Sequence, residues 1–167
     1  MLEDHVRLMM LLKNAGEVAG RKKLQKMVYI AKRLDFPFNE RYDFHFYGPY
    51  SEELTLKIEE LCNLGLVKEV KEKKGGYYQY CYSLTDEGET FLLHYDMNIP
   101  LLHPFVEALN GESSRFLELV STILYFGQLD KQAIKEKVAV VKRKQAYSED
   151  EVEKGFRYIE SIKKIAH

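Results

Sequence analysis

The amino-acid sequence predicts a mainly α-helical protein with a small β-hairpin: a winged helix-turn-helix-like domain over residues 1–97 and an all-helical domain over residues 98–167. Three observations support this prediction. A helical stripe in the middle of the chain is followed directly by two strand-like stretches, and Gly75-Gly76 lies between those stretches. Beyond residue 100 the apolar pattern is only helical. A helix that leads into a hairpin is the second half of a winged helix.

The bulk composition limits the classes of function. The chain has 167 residues, of which 46% are hydrophobic, and this is enough for a proper core. Its 25 Lys and Arg residues balance 26 Asp and Glu residues, so nucleic acid could be bound only through local patches. No long apolar run predicts a membrane span, and the acidic start does not resemble a secretion signal. We therefore expect a cytoplasmic protein in which Cys62 and Cys81 are reduced.

Two helices are predicted before the central one. Asp4 can cap the first, which ends near Gly16. The second follows Gly20, and its apolar stripe consists of Leu24, Met27, Val28, Ala31 and Leu34. Basic residues, including Arg21, Lys22 and Lys26, are predicted on its opposite face, either as an ordinary solvated surface or as a binding surface. The aromatic segment that follows is predicted to end in a strand at residues 43–46, beside the later hairpin.

The central helix begins after Gly48-Pro49, with Ser51 placed to cap it. Leu54, Ile58 and Leu61 recur at helical spacing and predict the buried face. The outward face is then Glu52, Glu53, Lys57, Glu59, Glu60 and Asn63. It carries four negative charges against one positive charge, which a phosphate-lined groove would repel.

The hairpin after this helix combines tyrosines with lysines. Tyr78, Tyr80 and Tyr82 alternate along one strand and so share a face. They are interpreted either as a cross-strand packing ladder or as exposed phenols that act with the wing lysines on a phosphate backbone or a partner. The wing lysines are Lys68, Lys71, Lys73 and Lys74. Thr85 is placed to cap the helix that leaves the hairpin.

The second half of the chain is predicted to be four short helices. Residues 104–109 form the first, Ser114 and Asp130 open the next two, and Ser148-Glu149-Asp150-Glu151 is a capping box for the last. Lys142 lies near the end of the third, where the helix dipole favours a cation. Because four short helices make a small core, we expect them to pack on the first domain or on a second copy.

No pattern indicates catalysis or metal binding. The histidines are scattered, without the spacing of a metal site. Neither Ser51 nor Cys62 has the surroundings of a nucleophile, and no glycine-rich loop opens a helix to hold phosphate. We therefore expect no enzyme activity, no metal and no cofactor.

Two stretches carry a family resemblance. Residues 20–31, which contain Lys23-Leu24-Gln25-Lys26, and residues 44–54, which contain Tyr47-Gly48-Pro49-Tyr50-Ser51, resemble the YwgA family of Bacillus-type bacteria. More distantly, this pair of motifs is similar to the antitoxin-associated domain called Panacea. The resemblance implies a winged-helix-like fold and a binding role, antitoxin-like or adaptor-like, without catalytic residues.

Two functional hypotheses follow. The first is a regulatory protein-interaction module that uses the acidic helix and the segment before it; the alternative is a DNA-binding regulator that uses the wing. We accordingly expect a protein partner, with nucleic acid as the alternative, no membrane contact and a possible homodimer. The candidate binding residues are Arg21, Lys22, Lys26, Tyr47, Tyr50, Glu52, Glu53, Lys57, Glu59, Glu60, Lys71, Lys73 and Lys74.

Overall fold

The computed structural model describes residues 2–46, 48–95 and 97–167. These form the helices α1 Leu2–Ala15, α2 Arg21–Arg33, α3 Glu52–Asn63, α4 Asp86–Leu93, α5 Leu102–Asn110, α6 Ser114–Tyr125, α7 Lys131–Val141 and α8 Glu149–Ala166. The strands are β1 Val18–Ala19, β2 Asp43–His45, β3 Gly48–Tyr50, β4 Val67–Lys74 and β5 Tyr77–Leu84, and a 3₁₀ turn spans Arg143–Gln145. The prediction of a mainly helical chain with a small hairpin is confirmed.

α3, α4 and α8 start where the predicted capping side chains lie, but the prediction that Asp4 caps α1 is wrong, because α1 begins at Leu2 and contains Asp4. Ser51 Oγ accepts a hydrogen bond from the Leu54 amide at 3.1 Å, and Thr85 Oγ1 accepts one from the Gly88 amide at 3.0 Å. The predicted capping box at α8 is present, with Ser148 as its first residue. These bonds satisfy amides that a helix leaves without partners at its first turn.

The hairpin β4–β5 belongs to a three-stranded antiparallel sheet of order β1-β5-β4. Lys74 pairs with Tyr77, so the turn contains only Gly75 and Gly76, and Gly75 adopts φ 58°. The turn lies at Gly75-Gly76 as predicted, and the lysines that precede it are part of the strand. β1 was not predicted, since two residues are too short to show an alternating pattern.

The predicted strand near residue 43 exists, but the predicted partner is wrong. β2 pairs with β3 in a separate two-stranded sheet and not with the later hairpin. Gly48, with φ 88°, adopts a backbone conformation that allows the chain to turn back within a few residues. Pro49 is tolerated in β3 because each strand of a two-stranded sheet has one unpaired edge.

The hydrophobic core runs without interruption across residue 97, the predicted end of the first domain. α1 packs on α5 and α2 packs on α6, and the rings of Phe36 and Phe105 lie 4.5 Å apart. The helices of the second half thus pack on the first half, one of the two arrangements expected from the sequence. None of the described helices is long and apolar enough to cross a membrane.

Candidate protein-interaction site

A cavity of about 360 Å³ lies between α2 and α3, and we call it the α2–α3 groove. Leu24, Leu54 and Ile58 provide its apolar surface. Its other lining residues are Arg21, Lys22, Gln25, Lys26, Tyr50, Thr55, Glu59, Glu69 and Tyr82. The groove therefore combines an apolar surface with charges of both signs, as binding sites commonly do.

Gln25 fixes one wall of this groove. Its side chain is buried, its Nε2 donates to the Ser51 carbonyl at 2.8 Å, and its Oε1 accepts from the Ser51 amide at 2.9 Å. The same Nε2 lies 3.1 Å from Thr55 Oγ1. One amide side chain thus satisfies both backbone groups of the residue that caps α3, and it holds α3 against α2.

Lys26 is buried, and its predicted place on the solvated face of α2 is wrong. Only 1% of its surface is exposed, and its Nζ donates to the Pro49 carbonyl at 2.8 Å. Burial lowers the pKa of Lys26 to about 8, although the nearby Glu118 carboxylate acts in the opposite direction. The helical pattern could not reveal this burial because β3, which covers the lysine, comes from a later part of the chain.

Lys142 is a second buried lysine that binds the segment around β2 and β3, and it lies near Lys26 and the same Glu118 carboxylate. Its Nζ lies 3.1 Å from Glu118 Oε2 and donates to the Phe46 carbonyl at 2.9 Å. Gln145 Nε2 donates to the same carboxylate oxygen at 3.1 Å. Lys142 is 1% exposed, so it is a member of a buried ion pair and not only a cation at a helix end. Sequence reasoning missed Glu118 because it lies in an otherwise apolar helix.

The outward side of α3 is acidic and apolar at once. Glu52, Glu59 and Glu60 are exposed as predicted, and Glu60 Oε1 lies 3.3 Å from His5 Nε2. Leu56 is 58% exposed and Leu64, just after the helix, is 66% exposed. We call these five residues, Glu52, Leu56, Glu59, Glu60 and Leu64, the α3 stripe.

Two predicted members of this face are engaged within the protein. Lys57 Nζ lies 2.8 Å from Glu40 Oε2 and 3.3 Å from Asp4 Oδ2, and its side chain is only 13% exposed. Burial disfavours its charged form, but Glu40 and Asp4 outweigh that effect and raise its pKa. Glu53 Oε1 accepts from the Arg41 amide at 2.7 Å. Neither side chain is freely available to a partner.

Arg21 closes the end of the groove nearest the sheet. Its Nε donates to Tyr82 Oη at 3.0 Å, and that hydroxyl donates to Glu69 Oε2 at 2.6 Å. The guanidinium group lies 3.9 Å from the ring centre of Tyr80. Tyr82 is buried whereas Tyr78 is 59% exposed, so the tyrosine ladder packs at its base and reaches solvent at its tip.

The tip of the β4–β5 hairpin is basic and aromatic. Lys71, Lys73 and Lys74 are exposed, and Lys71 Nζ lies 4.4 Å from the ring centre of Tyr78. Lys74 forms an ion pair with Glu72 at 3.2 Å, which reduces the positive charge available there. Of the predicted site residues, Arg21, Lys22, Lys26, Tyr50 and Glu59 meet at the groove, and Tyr47 lies outside the described residues.

One group in the described part of the chain has the composition of a metal site. Ligand atoms of Glu17, Glu72 and Cys81 lie within 4.8 Å of one another. Burial, a hydrogen bond with Glu72 and the charge of Glu17 all raise the pKa of the Cys81 thiol, so the thiolate that binds metals is disfavoured. Two carboxylates and a neutral thiol do not by themselves make a site.

Comparison with known proteins identifies a relative over the full length. No protein-family model matches the sequence. The chain is 59% identical over 165 residues to "Uncharacterized protein YwgA" of Bacillus subtilis (strain 168). The alignment covers 99% of each protein.

Proposed function

The chain belongs to the YwgA family, and from its geometry we propose that it is a non-enzymatic regulatory module that binds another protein through a winged-helix scaffold, in the manner of an antitoxin or an adaptor. The element order α1-β1-α2-β2-β3-α3-β4-β5, in which the small β2–β3 sheet is inserted before α3, and the sheet order β1-β5-β4 support that scaffold. In it, α3 is the helix that a DNA-binding winged helix inserts into the major groove.

The single observation that carries the proposal is the α3 stripe. Three exposed carboxylates and two exposed leucines occupy the side of α3 that faces solvent. Carboxylates on a helix inserted between phosphates would be repelled, whereas a basic protein surface would be attracted to them. Exposed leucines supply the apolar contact that a protein interface buries at its centre. The surface therefore fits a partner that is basic and partly apolar.

The α2–α3 groove supports the proposal as a second contact region beside the stripe. Glu59 belongs to both surfaces, so a partner on the stripe reaches the groove as well. The groove wall is already held by the bonds of Gln25 to Ser51 and of Lys26 to Pro49. A preorganised wall loses little conformational freedom when a partner binds, which favours affinity.

The wing favours DNA binding as a second candidate function. Its tip exposes three lysines and two tyrosines, Tyr77 and Tyr78, which are 62% and 59% exposed. Such a surface can contact a phosphate backbone without reading the sequence of bases. In that case binding would weaken steeply as the salt concentration rises.

One pair of substitutions separates the two functions. Glu59→Gln with Glu60→Gln removes two charges from the α3 stripe while keeping the shapes of the side chains. The purified wild-type and variant chains are compared in pull-downs from the native cell and in mobility-shift titrations against a DNA pool. We expect the variant to capture less of the partner, mainly because association slows at low salt.

The control is Glu87→Gln with Glu89→Gln, which makes the same change in net charge on the exposed side of α4. It should leave partner capture unchanged. Tighter DNA binding by the α3 variant, together with undiminished capture of the partner, would contradict the interaction function and support the DNA-binding function.

A further inference from the structure

A second exposed stripe lies on α7 and the turn that follows it. It consists of Lys137, Val140, Val141 and Lys144, and we call it the α7 stripe. Val140 is 74% exposed and Val141 is 38% exposed, so two neighbouring apolar side chains reach solvent here. Lys144 Nζ lies 5.2 Å from the ring centre of Phe46, which is itself 63% exposed. This surface is basic and apolar.

The α3 and α7 stripes are complementary in charge and chemistry. One combines carboxylates with leucines, and the other combines ammonium groups with valines. With a rise of about 1.5 Å per residue, Glu52 and Glu60 are about 12 Å apart along α3, and Lys144 extends the α7 stripe beyond the end of α7 onto the turn Arg143–Gln145. Glu52 and Glu59 form no ion pair within the described residues, so their charge is available to an incoming surface.

Within one chain the two stripes do not cover each other, because both are exposed. α3 packs on α1 and β4, whereas α7 packs on α6 and the turn Arg143–Gln145. We propose that the α7 stripe of a second copy of this chain occupies the α3 stripe. This inference rests on the proposed function, since it names the partner of the same surface. The contact is heterologous, because different surfaces of the two copies meet.

This arrangement has two consequences for the assembly. Each chain keeps one free stripe of each kind, so association continues beyond two chains unless a ring closes. The charged side chains are exposed, and ion pairs of this kind are individually weak and screened by salt. Self-association is therefore expected to be weak, dependent on concentration and reduced by salt.

The test is sedimentation equilibrium of the purified full chain across a concentration series. We expect the average mass to rise above that of one chain as the protein concentration increases. It should fall back when the salt concentration is raised from about 0.05 M to about 0.5 M, because the screening length then shortens from roughly 14 Å to roughly 4 Å. Glu59→Lys with Glu60→Lys gives two basic stripes, and Lys137→Glu with Lys144→Glu gives two acidic stripes. Each variant alone should raise the dissociation constant at least about tenfold.

A chain that carries all four reversals restores opposite charges on the two stripes and should associate like the wild type. Lys163→Glu with Lys164→Glu, at the exposed end of α8, is the control with the same change in net charge as the α7 variant. A monomeric wild type at every concentration and low salt would overturn the inference, as would a fourfold variant that stays monomeric. In either case a foreign partner could still be captured at the α3 stripe, so failure here is distinguishable from failure of the proposed function.

Discussion

Removal of the Lys142 ammonium group is expected to destabilise the protein more than loss of any surface charge. In Lys142→Met, the Glu118 carboxylate stays buried and loses its ion-pair partner, while it keeps the hydrogen bond from Gln145 and the nearby Lys26 charge. The Phe46 carbonyl loses the bond from Lys142. Breaking a buried ion pair by removing one partner costs about 3–5 kcal/mol, because a buried charge is left uncompensated. The expected loss in the free energy of unfolding lies in that range.

The chain contains no tryptophan, so urea unfolding is best followed by far-ultraviolet circular dichroism of its helices. With a slope of about 2 kcal/mol per molar urea, the midpoint should fall by about 1.5 to 2.5 M. Adding Glu118→Leu to Lys142→Met removes both members of the ion pair and should recover part of this loss, whereas the buried Lys26 then loses the favourable Glu118 charge. If Lys142→Met alone shifts the midpoint by less than about 0.5 M, the buried pair does not have the assigned role.

Two further predictions concern the groove wall. Because the folded pKa of Lys26 is about 8 against an ordinary value of 10.5, the unfolded chain binds more protons between those values, and stability should rise with pH across that window. The free energy of unfolding of the wild type, measured by urea unfolding, should thus rise by up to about 3 kcal/mol relative to that of Lys26→Met between pH 8 and 10.5. If the difference between the two proteins does not change with pH, the pKa of Lys26 is not depressed. Gln25→Ala leaves the buried Ser51 amide without its acceptor and removes one donor from the Ser51 carbonyl, which keeps the Thr55 amide at 3.3 Å. It should lower the free energy of unfolding by about 1–3 kcal/mol, whereas exposed Gln132→Ala should have little effect.

The fold was predictable wherever a few neighbouring residues decide it. Ser51, Thr85, Asp130 and Ser148 cap helices as predicted, because a cap bonds to an amide two or three residues away. The glycine pair likewise produces the hairpin turn, because the conformation it permits depends on those residues alone.

The candidate site was predictable only in part. The carboxylates Glu52, Glu59 and Glu60 are exposed as the helical period indicated, since the apolar positions of α3 determine which side faces the core. The period could not show that the ammonium groups of Lys26 and Lys57 are engaged inside the protein, because their acceptors are on Pro49, Glu40 and other residues distant in sequence.

The sequence alone determined much of the local structure of this protein: where α3, α4, α7 and α8 begin, where the hairpin turns, and which side of α3 is acidic. Only the tertiary structure decided that β2 pairs with β3, that buried Lys26 and Lys142 donate to the Pro49 and Phe46 carbonyls, and that the apolar groove forms between α2 and α3. The physical reason is the range of the interactions. Caps and turns satisfy backbone groups within a few residues, whereas burial of a charge becomes favourable only when distant segments bring its partner to it.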